Sequence, residues 1–167
     1  MDVYILRHGE AEPRGDDVEE ARRKLTPRGR ADVERVSRAA RGAKVAPELV
    51  FTSPFDRAKE TAQIAAGQLD SSDELVETKA LLPNSNPEQL WKELRTHKTA
   101  KSALVAGHEP HLSRFVAYLL GSPSLSIDLK KGALVRVTVD IAQVQPHGAL
   151  KWLLTPRLSG LGKTKRK

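Results

Sequence analysis

Short hydrophobic runs alternate with longer amphipathic segments along this chain. Residues 3–6 and 103–106 are runs of four apolar positions, too short for a helix core, and they predict strands buried on both faces. A shorter run at 49–51 predicts another strand, and residues 74–78 predict an edge strand. Each run is followed by a segment with helical signals, so strands and helices are expected to alternate.

The last part of the chain has a different pattern. Residues 131–139 alternate apolar and polar side chains, which indicates a strand with one wet face. Residues 149–154 are expected to pair with it in an antiparallel hairpin at the edge of the sheet. The turn contains Pro146, His147 and Gly148, so His147 is expected to be exposed to solvent.

Capping signals predict where the helices begin. Thr26 is a candidate N-cap, Pro27 suits the first turn, and Gly42 can end that helix. Ser53 and Pro54 predict a second helix in the same way. Two further helices are predicted from Asn86-Pro87, with Leu90, Trp91 and Leu94 as core contacts, and from Pro110 to Leu120.

Two histidines in these helical segments receive no catalytic role. His97 follows the third helix, where a partly charged imidazole interacts favourably with the helix dipole. His111 lies one turn into the fourth helix and is expected on the surface or behind the site. Residues 11–24 carry charges of both signs and predict a loop with a short helical turn.

The order of elements indicates the fold class. Strands that alternate with helices predict an α/β three-layer sandwich, with a mainly parallel central sheet and helices on both faces. No linker divides the chain, so residues 1–160 are expected to form one domain. Residues 161–167 form a basic tail that is expected to be disordered.

Composition narrows the functional classes. The 167 residues include no cysteine, which excludes disulfides and cysteine-based metal sites or catalysis. The chain has 28 Lys and Arg against 21 Asp and Glu, and a net charge of +7 favours anionic partners such as phosphorylated molecules, acidic proteins or nucleic acid. Aromatic residues make up only 4%, which argues against a stacking platform for single-stranded nucleic acid. No signal peptide or membrane-spanning segment is evident, so a cytoplasmic location is expected.

Polar residues follow the two buried strands where each strand ends. Arg7 and His8 follow the first strand, and Gly107 and His108 end the strand at 103–106. In an open α/β sheet, residues beyond the carboxyl ends of the strands lie where ligands bind. The alternative at each position is a purely structural role: Arg7 and His8 can simply cap a strand, and either histidine can be structural. Two such strand ends together favour a shared pocket.

Arg57 is predicted in the first turn of the second helix. Free N–H groups and the positive end of the dipole favour an anion there, and a cation is unfavourable without one. The alternative is an ordinary surface arginine paired with Asp56 or Glu60. Two arginines and two histidines at one point favour a dianion over zinc, which arginines repel, so neither a metal nor a cofactor is expected. One histidine can attack a phosphoryl group while the cations stabilise the transition state.

Three motifs resemble those of the histidine phosphatase superfamily, which has the phosphoglycerate-mutase-like fold. Leu6-Arg7-His8-Gly9-Glu10-Ala11 resembles its first motif, residues 53–61 its second, and Gly107-His108 its third. The small size and the opening motif are most similar to SixA-type protein-phosphohistidine phosphatases. The resemblance implies that His8 is the phosphorylated nucleophile, and that Arg7, Arg57, Gly107 and His108 hold the phosphate.

The chain departs from the larger members of that superfamily in one respect. They carry a glutamate acid in an inserted cap, whereas residues 81–86 here contain no carboxylate and no cap insertion is present. Glu10, Glu12 and Glu88 are the possible substitutes, with Glu12 preferred because its loop leaves the site directly. The missing acid costs little when the leaving group is an imidazole, whose conjugate acid has a pKa of about 6.5. The expected substrate is therefore phosphohistidine on a partner protein, which an open site can admit.

Two other functions stay open from the sequence. The first is a phosphomonoesterase of the same superfamily that acts on a small metabolite and uses a loop glutamate. The second is a non-catalytic module that binds phosphate or nucleic acid through its basic surface, although a binder gains nothing from a neutral histidine between arginines. The oligomeric state cannot be predicted from these patterns.

Overall fold

The structure is a computed structural model that describes residues 1–15, 19–71 and 74–160. Its strands form one six-stranded sheet in the order β3-β2-β4-β1-β5-β6. The bounds are β1 Asp2–Arg7, β2 Leu49–Thr52, β3 Leu75–Glu77, β4 Ser102–Gly107, β5 Leu134–Thr138 and β6 Ala149–Leu154. The four strands β3, β2, β4 and β1 are parallel, and β5 and β6 are antiparallel to their neighbours. The predicted α/β fold with an antiparallel edge hairpin is confirmed.

The described part of the chain also contains five helices and two single 3-10 turns, and the fifth helix follows the last strand. The helices are α1 Pro27–Gly42, α2 Asp56–Gln68, α3 Pro87–Thr96, α4 His111–Leu119 and α5 Pro156–Ser159, and the 3-10 turns are Glu20–Arg22 and Lys79–Leu81. The predicted caps of α1 and α3 are present, because the side chain of Thr26 accepts a hydrogen bond from the Gly29 amide and that of Asn86 from the Glu88 amide. None of these helices is both long and apolar enough to cross a bilayer.

The start of α2 differs from the prediction. The helix begins at Asp56 with Phe55 in the N-cap position, not at Pro54 after a Ser53 cap. The Ser53 hydroxyl accepts a hydrogen bond from the Phe55 amide at 3.3 Å and also contacts the ring of His108. Two residues, Pro54 and Phe55, therefore separate Ser53 from the first residue of the helix.

Helices cover both faces of the sheet, as predicted. One hydrophobic cluster joins the strands to α3 and α4 and includes Phe51, Trp91 and Phe115. The other joins them to α1 and α2 and includes Leu6 and Leu69. The sheet is therefore buried on both sides, which explains the uninterrupted apolar runs of its central strands.

The first helix presses against the end of β1. A Cβ at Gly9 would lie 2.7 Å from the carbonyl oxygen of Gly29, and a Cβ at Gly29 would lie 2.1 Å from that of Glu10. Both glycines are needed because two backbone segments touch at this point. The basic tail at 161–167 lies outside the described residues.

Candidate active site

The central strands deliver the predicted residues to one edge of the sheet. β1 and β4 are parallel neighbours with Arg7 opposite Gly107, and the His8 amide donates a hydrogen bond to the Gly107 carbonyl at 3.0 Å. This register places the two histidines side by side, with ring centroids 5.1 Å apart for His8 and His108. Arg57 enters from α2 and reaches His8, so the structure brings all four side chains together.

His8 is held in one tautomer. Its Nδ1 lies 2.7 Å from the Gly9 carbonyl oxygen, which can only accept, so Nδ1 carries the proton. Its Nε2 lies 3.3 Å from Nε of Arg57, which can only donate, so Nε2 carries the lone pair. The side chain is buried, and its Nε2 lone pair accepts the hydrogen bond from Arg57. His8 therefore has the form that a nucleophile requires.

The surroundings of His8 keep it neutral. Burial lowers the pKa of His8 to about 3, and the positive charges of Arg57, Arg7 and Lys131 act in the same direction, against the hydrogen bond to Gly9. The imidazole is consequently unprotonated at neutral pH, and its lone pair does not have to compete with a proton.

Glu20 fixes the guanidinium of Arg57. Arg57 Nη1 donates to the backbone oxygen of Glu20 at 2.8 Å, and Nη2 donates to its carboxylate at 2.9 Å. Arg23 and Arg14 bind the same carboxylate at 2.8 and 3.0 Å. The hydrogen bond from Arg23 and the charges of all three arginines lower the pKa of Glu20, against a desolvation that raises it. Glu20 was not predicted as a site residue, although it lies in the segment 11–24, where a short helical turn was predicted.

His108 is also buried and neutral. Its Nε2 lies 2.7 Å from the Ser53 hydroxyl, while Nδ1 has no hydrogen-bond partner among the described residues. Burial lowers the pKa of His108 to about 2, helped by the nearby His8 and Arg57. Phe55 lies against the ring, with centroids 5.1 Å apart. The serine was predicted only as a helix cap, so its contact with His108 is a second feature that the sequence analysis missed.

Arg7 is half-buried at the same edge. Its Nη1 donates to the Leu129 carbonyl at 2.6 Å, and its Nε is buried with no partner in the described part of the chain. Burial lowers the pKa of Arg7, and the negative charges of Glu109 and Asp128 oppose that shift. The guanidinium thus keeps an unused donor beside the two histidines. Gly107 adds no side chain here, where a Cβ would lie 3.2 Å from the Leu81 carbonyl oxygen.

None of the three carboxylates considered as a general acid contacts these four side chains. The exposed carboxylate of Glu12 accepts a hydrogen bond from the Lys24 amide at 3.4 Å, and Glu10 accepts one from the Thr26 hydroxyl at 3.3 Å. Glu88 pairs with Lys92 at 2.8 Å on α3. No hydrogen bond or ion pair between Glu12 and these four side chains supports its choice as the acid.

The remaining histidines have separate surroundings. His147 is exposed in the hairpin turn, as predicted. His111 was expected on the surface or behind the site, but it is fully buried and stacked on Phe115, so the surface alternative is wrong. In residues 1–15, 19–71 and 74–160, no group of three or more His, Asp or Glu side chains lies close enough together to hold a metal ion.

Known proteins resemble this chain in sequence and in fold. The sequence model of the histidine phosphatase superfamily (branch 1) matches residues 3–82. Phosphohistidine phosphatase SixA of Escherichia coli (strain K12) is 27% identical over 162 residues, which are 93% of this chain and 94% of that protein. A solved structure of the protein histidine phosphatase SixA complexed with tungstate has a TM-score of 0.83 at 26% identity, covering 94% of this chain and 98% of that one.

A more distant phosphatase shares the fold alone. The alpha-ribazole phosphatase from Shigella flexneri has a TM-score of 0.72 at 17% identity, covering 93% of this chain and 97% of that one. Similar folds thus occur in proteins named for a small phosphorylated molecule as well as in SixA. The matches confirm the resemblance that the three motifs predicted: the chain is similar to the histidine phosphatase superfamily, a superfamily of phosphatases, over residues 3–82, and to SixA over most of its length.

Proposed function

We propose that the protein removes phosphate from phosphohistidine on a partner protein through a covalent intermediate at His8. In the first step, Nε2 of His8 attacks phosphorus and the substrate's P–N bond breaks. The electron pair of that bond leaves with the substrate imidazole, which takes a proton from solvent. In the second step, water attacks the phosphoryl group on His8, the new P–N bond breaks, and its electron pair returns to Nε2. Inorganic phosphate leaves, and the proton lost by water passes to solvent.

The cations and His108 have supporting roles in this mechanism. Arg7 and Arg57 stabilise the negative charge that spreads over the phosphoryl oxygens, and the buried site strengthens these interactions. His108 donates a hydrogen bond to a phosphoryl oxygen, because the negative charge of a bound dianion offsets the burial and the positive charges that otherwise keep this ring neutral. The unused Nε donor of Arg7 and the SixA relative that binds tungstate, another tetrahedral oxyanion, support this assignment.

The observation that carries the choice of substrate is the state of Glu20. Among the described residues, Glu20 supplies the carboxylate that is hydrogen-bonded to the four-residue cluster, and three arginines hold it ionised. An ionised carboxylate cannot protonate a leaving group. An alkoxide leaving group is about as basic as hydroxide, whose conjugate acid has a pKa of about 15.7, whereas imidazolium has a pKa of about 6.5. The site therefore suits a P–N bond better than an alkyl phosphate.

Hydrolysis of two substrates tests the proposal. A histidine-phosphorylated protein and glycerol phosphate are each incubated with the wild type and with His8→Ala, and release of inorganic phosphate is followed. We expect fast release from the phosphoprotein and a loss of at least about 10³-fold in the variant. Acid-labile labelling of the wild type but not of His8→Ala would identify the intermediate. A preference for glycerol phosphate would instead favour a small-molecule phosphomonoesterase, and no turnover of either would leave a binding module.

A further inference from the structure

A basic cleft opens beside Arg7. It has a volume of about 730 Å³ and lies between the start of α1, the turn before β5, and α5. Six cationic side chains line it: Arg7, Arg28, Arg35, Lys130, Lys131 and Arg157. Two carboxylates, Glu10 and Asp32, also line it. The cleft shares Arg7 with the candidate active site, so a molecule in the cleft lies directly against that site.

Besides Arg7, three more of these cations have no ion-pair partner among the described residues. In the described part of the chain, Arg35 is paired with Asp32 and Lys130 with Asp128, whereas Arg28, Lys131 and Arg157 form no salt bridge. All three are exposed. Unpaired, exposed cations around a concave surface produce a local positive potential that attracts negatively charged molecules.

The turn that carries Lys131 is hydrogen-bonded to the end of β1 and to His8. The Gly132 amide donates hydrogen bonds to the carbonyl oxygens of Arg7 and His8, both at 3.1 Å. Gly132 has a φ of +71°, and a Cβ there would lie 3.2 Å from Cγ of Pro156. Glycine thus lets the turn fold tightly between β1 and α5, and the Lys131 ammonium is close enough to help lower the pKa of His8. The cleft is held in a fixed position relative to the nucleophile.

We propose that the basic cleft binds an acidic patch on the surface of the partner protein, next to the phosphohistidine that His8 attacks. This inference rests on the proposed function and adds a class of partner to it. The cleft orients the partner through Arg28, Lys131 and Arg157, while the phosphoryl group reaches Arg7, His8 and Arg57. Complementary charge of this kind raises the rate of encounter and fixes the orientation of the complex more than it raises affinity.

The lining of the cleft favours a protein over a nucleic acid. None of the residues that line it is aromatic, whereas single-stranded nucleic acids are usually held by stacking on aromatic rings. Glu10 forms no ion pair among the described residues, and its carboxylate would repel a continuous phosphate backbone. An acidic protein surface also presents N–H groups and lysines, which can pair with that carboxylate.

Charge reversal in the cleft tests the proposal. The variant Arg28→Glu/Arg157→Glu is compared with the control Lys98→Glu/Lys101→Glu. The two exposed lysines of the control precede β4, at the amino-terminal end of that strand. Both doubles change the net charge equally. Each residue of the first pair lies in the first turn of a helix, where a carboxylate is favourable, so the fold is expected to persist.

Two substrates separate docking from chemistry. One is a phosphorylated histidine-phosphotransfer domain with acidic residues around its histidine, and the other is N-phosphoimidazole. We expect the ratio of kcat/KM for the domain to kcat/KM for N-phosphoimidazole to fall at least about tenfold in the cleft variant, chiefly through KM. The ratio should stay within about twofold of wild type in the control, and replacing the acidic residues of the domain by glutamine should remove the difference.

Several outcomes would overturn the docking proposal. An equal fall in the control, or no fall in the cleft variant, would contradict it. Loss of binding to single-stranded RNA in the cleft variant, with no change in the ratio, would assign the cleft to nucleic acid. If the wild type hydrolyses neither substrate, the proposed function fails, and calorimetry with the unphosphorylated domain then tests the cleft alone: equal binding by both doubles rejects it.

Discussion

The guanidinium of Arg57 and Glu20 form a two-point contact that leaves Nε of the arginine pointed at Nε2 of His8. Nη1 and Nη2 lie 2.8 and 2.9 Å from the backbone and carboxylate oxygens of Glu20. The direction of the guanidinium is therefore set by a loop residue outside the three sequence motifs. Glu20 acts as a positioning residue, and Arg57 is the residue that contacts His8.

Replacing Arg57 should lower kcat more than replacing Glu20. Arg57→Ala is expected to lower kcat by about 10²–10³-fold, as for one donor of a preorganised anion site. Glu20→Ala should lower it less, by about 10-fold, because the arginine remains but loses its orientation. In the Arg57→Ala background, Glu20→Ala should have no further effect, and a double-mutant cycle on kcat measures this coupling. Glu19→Ala, an exposed neighbour, is the matched control; equal losses for both glutamates would reject the positioning role.

Ser53 should position His108 in a similar way. Its hydroxyl lies 2.7 Å from Nε2 of a histidine that is otherwise unpaired in the described structure. Ser53→Ala is expected to lower kcat by about tenfold with little change in KM, because the ring loses its orientation and the substrate contacts persist. The control is Ser37→Ala, which removes a buried hydroxyl on α1 that has no partner among the described residues. A change confined to melting temperature would reduce Ser53 to a structural role.

A buried, neutral histidine should make the folded state less stable at acidic pH. Burial lowers the pKa of His111 to about 4, below the usual value of about 6.5 for an unfolded chain. The unfolded state then binds more protons between these values, so stability is highest above about pH 6.5 and falls as the pH drops toward about 4. His111→Phe should lessen this slope by up to about 1.4 kcal/mol per pH unit.

Urea denaturation at pH 4.5, 5.5 and 7 measures that slope. Phenylalanine keeps the stacking on Phe115 and removes the titratable ring. His147→Gln is the control, because this histidine is exposed in the hairpin turn. If His111→Phe keeps the slope of the wild type, protonation of His111 does not contribute to acid unfolding.

Two glycine substitutions should shift stability in opposite directions. A Cβ at Gly29 would lie 2.1 Å from the Glu10 carbonyl oxygen, so Gly29→Ala must move α1 away from β1. We expect a loss of about 1–3 kcal/mol in the free energy of unfolding, as for other overpacked sites. Gly67 in α2 has no atom within 4 Å of a Cβ, so Gly67→Ala should stabilise the protein by about 0.5–1 kcal/mol. Chemical denaturation of both variants measures the contrast, and a stabilising Gly29→Ala would contradict the close contact.

The sequence was most informative where one strand and one turn determine a position. Arg7, His8 and His108 follow apolar runs directly, so parallel pairing brings them to one edge of the sheet. The position of Arg57 could also be predicted, because the helix that carries it begins close to the end of β2. The start of α2 was wrong by two residues because the Ser53 hydroxyl serves His108, a contact between residues 55 positions apart. No local pattern reports such a contact.

Glu20 and His111 show two different reasons for a miss. Glu20 lies in a loop of mixed charges, where the sequence does not say which carboxylate meets which arginine. The burial of His111 did have a signal, because positions 111, 112, 115, 116 and 119 form the buried stripe of α4 at helical spacing. A histidine on an otherwise apolar face was taken as polar by residue type, although its position predicted burial.

The pairing of β1 has a consequence for the synthesis of the protein. His8 precedes both of the residues that hold its backbone, which are Gly107 on one side and Gly132 on the other. While the ribosome is still adding residues before 132, β1 lacks its neighbour β5 and remains an open edge of the sheet. His8 is therefore translated well before the residues that lock its backbone in place. A chain that stops before residue 132 carries every motif residue up to His108, but it still lacks the carboxyl-terminal hairpin that completes the sheet beside His8.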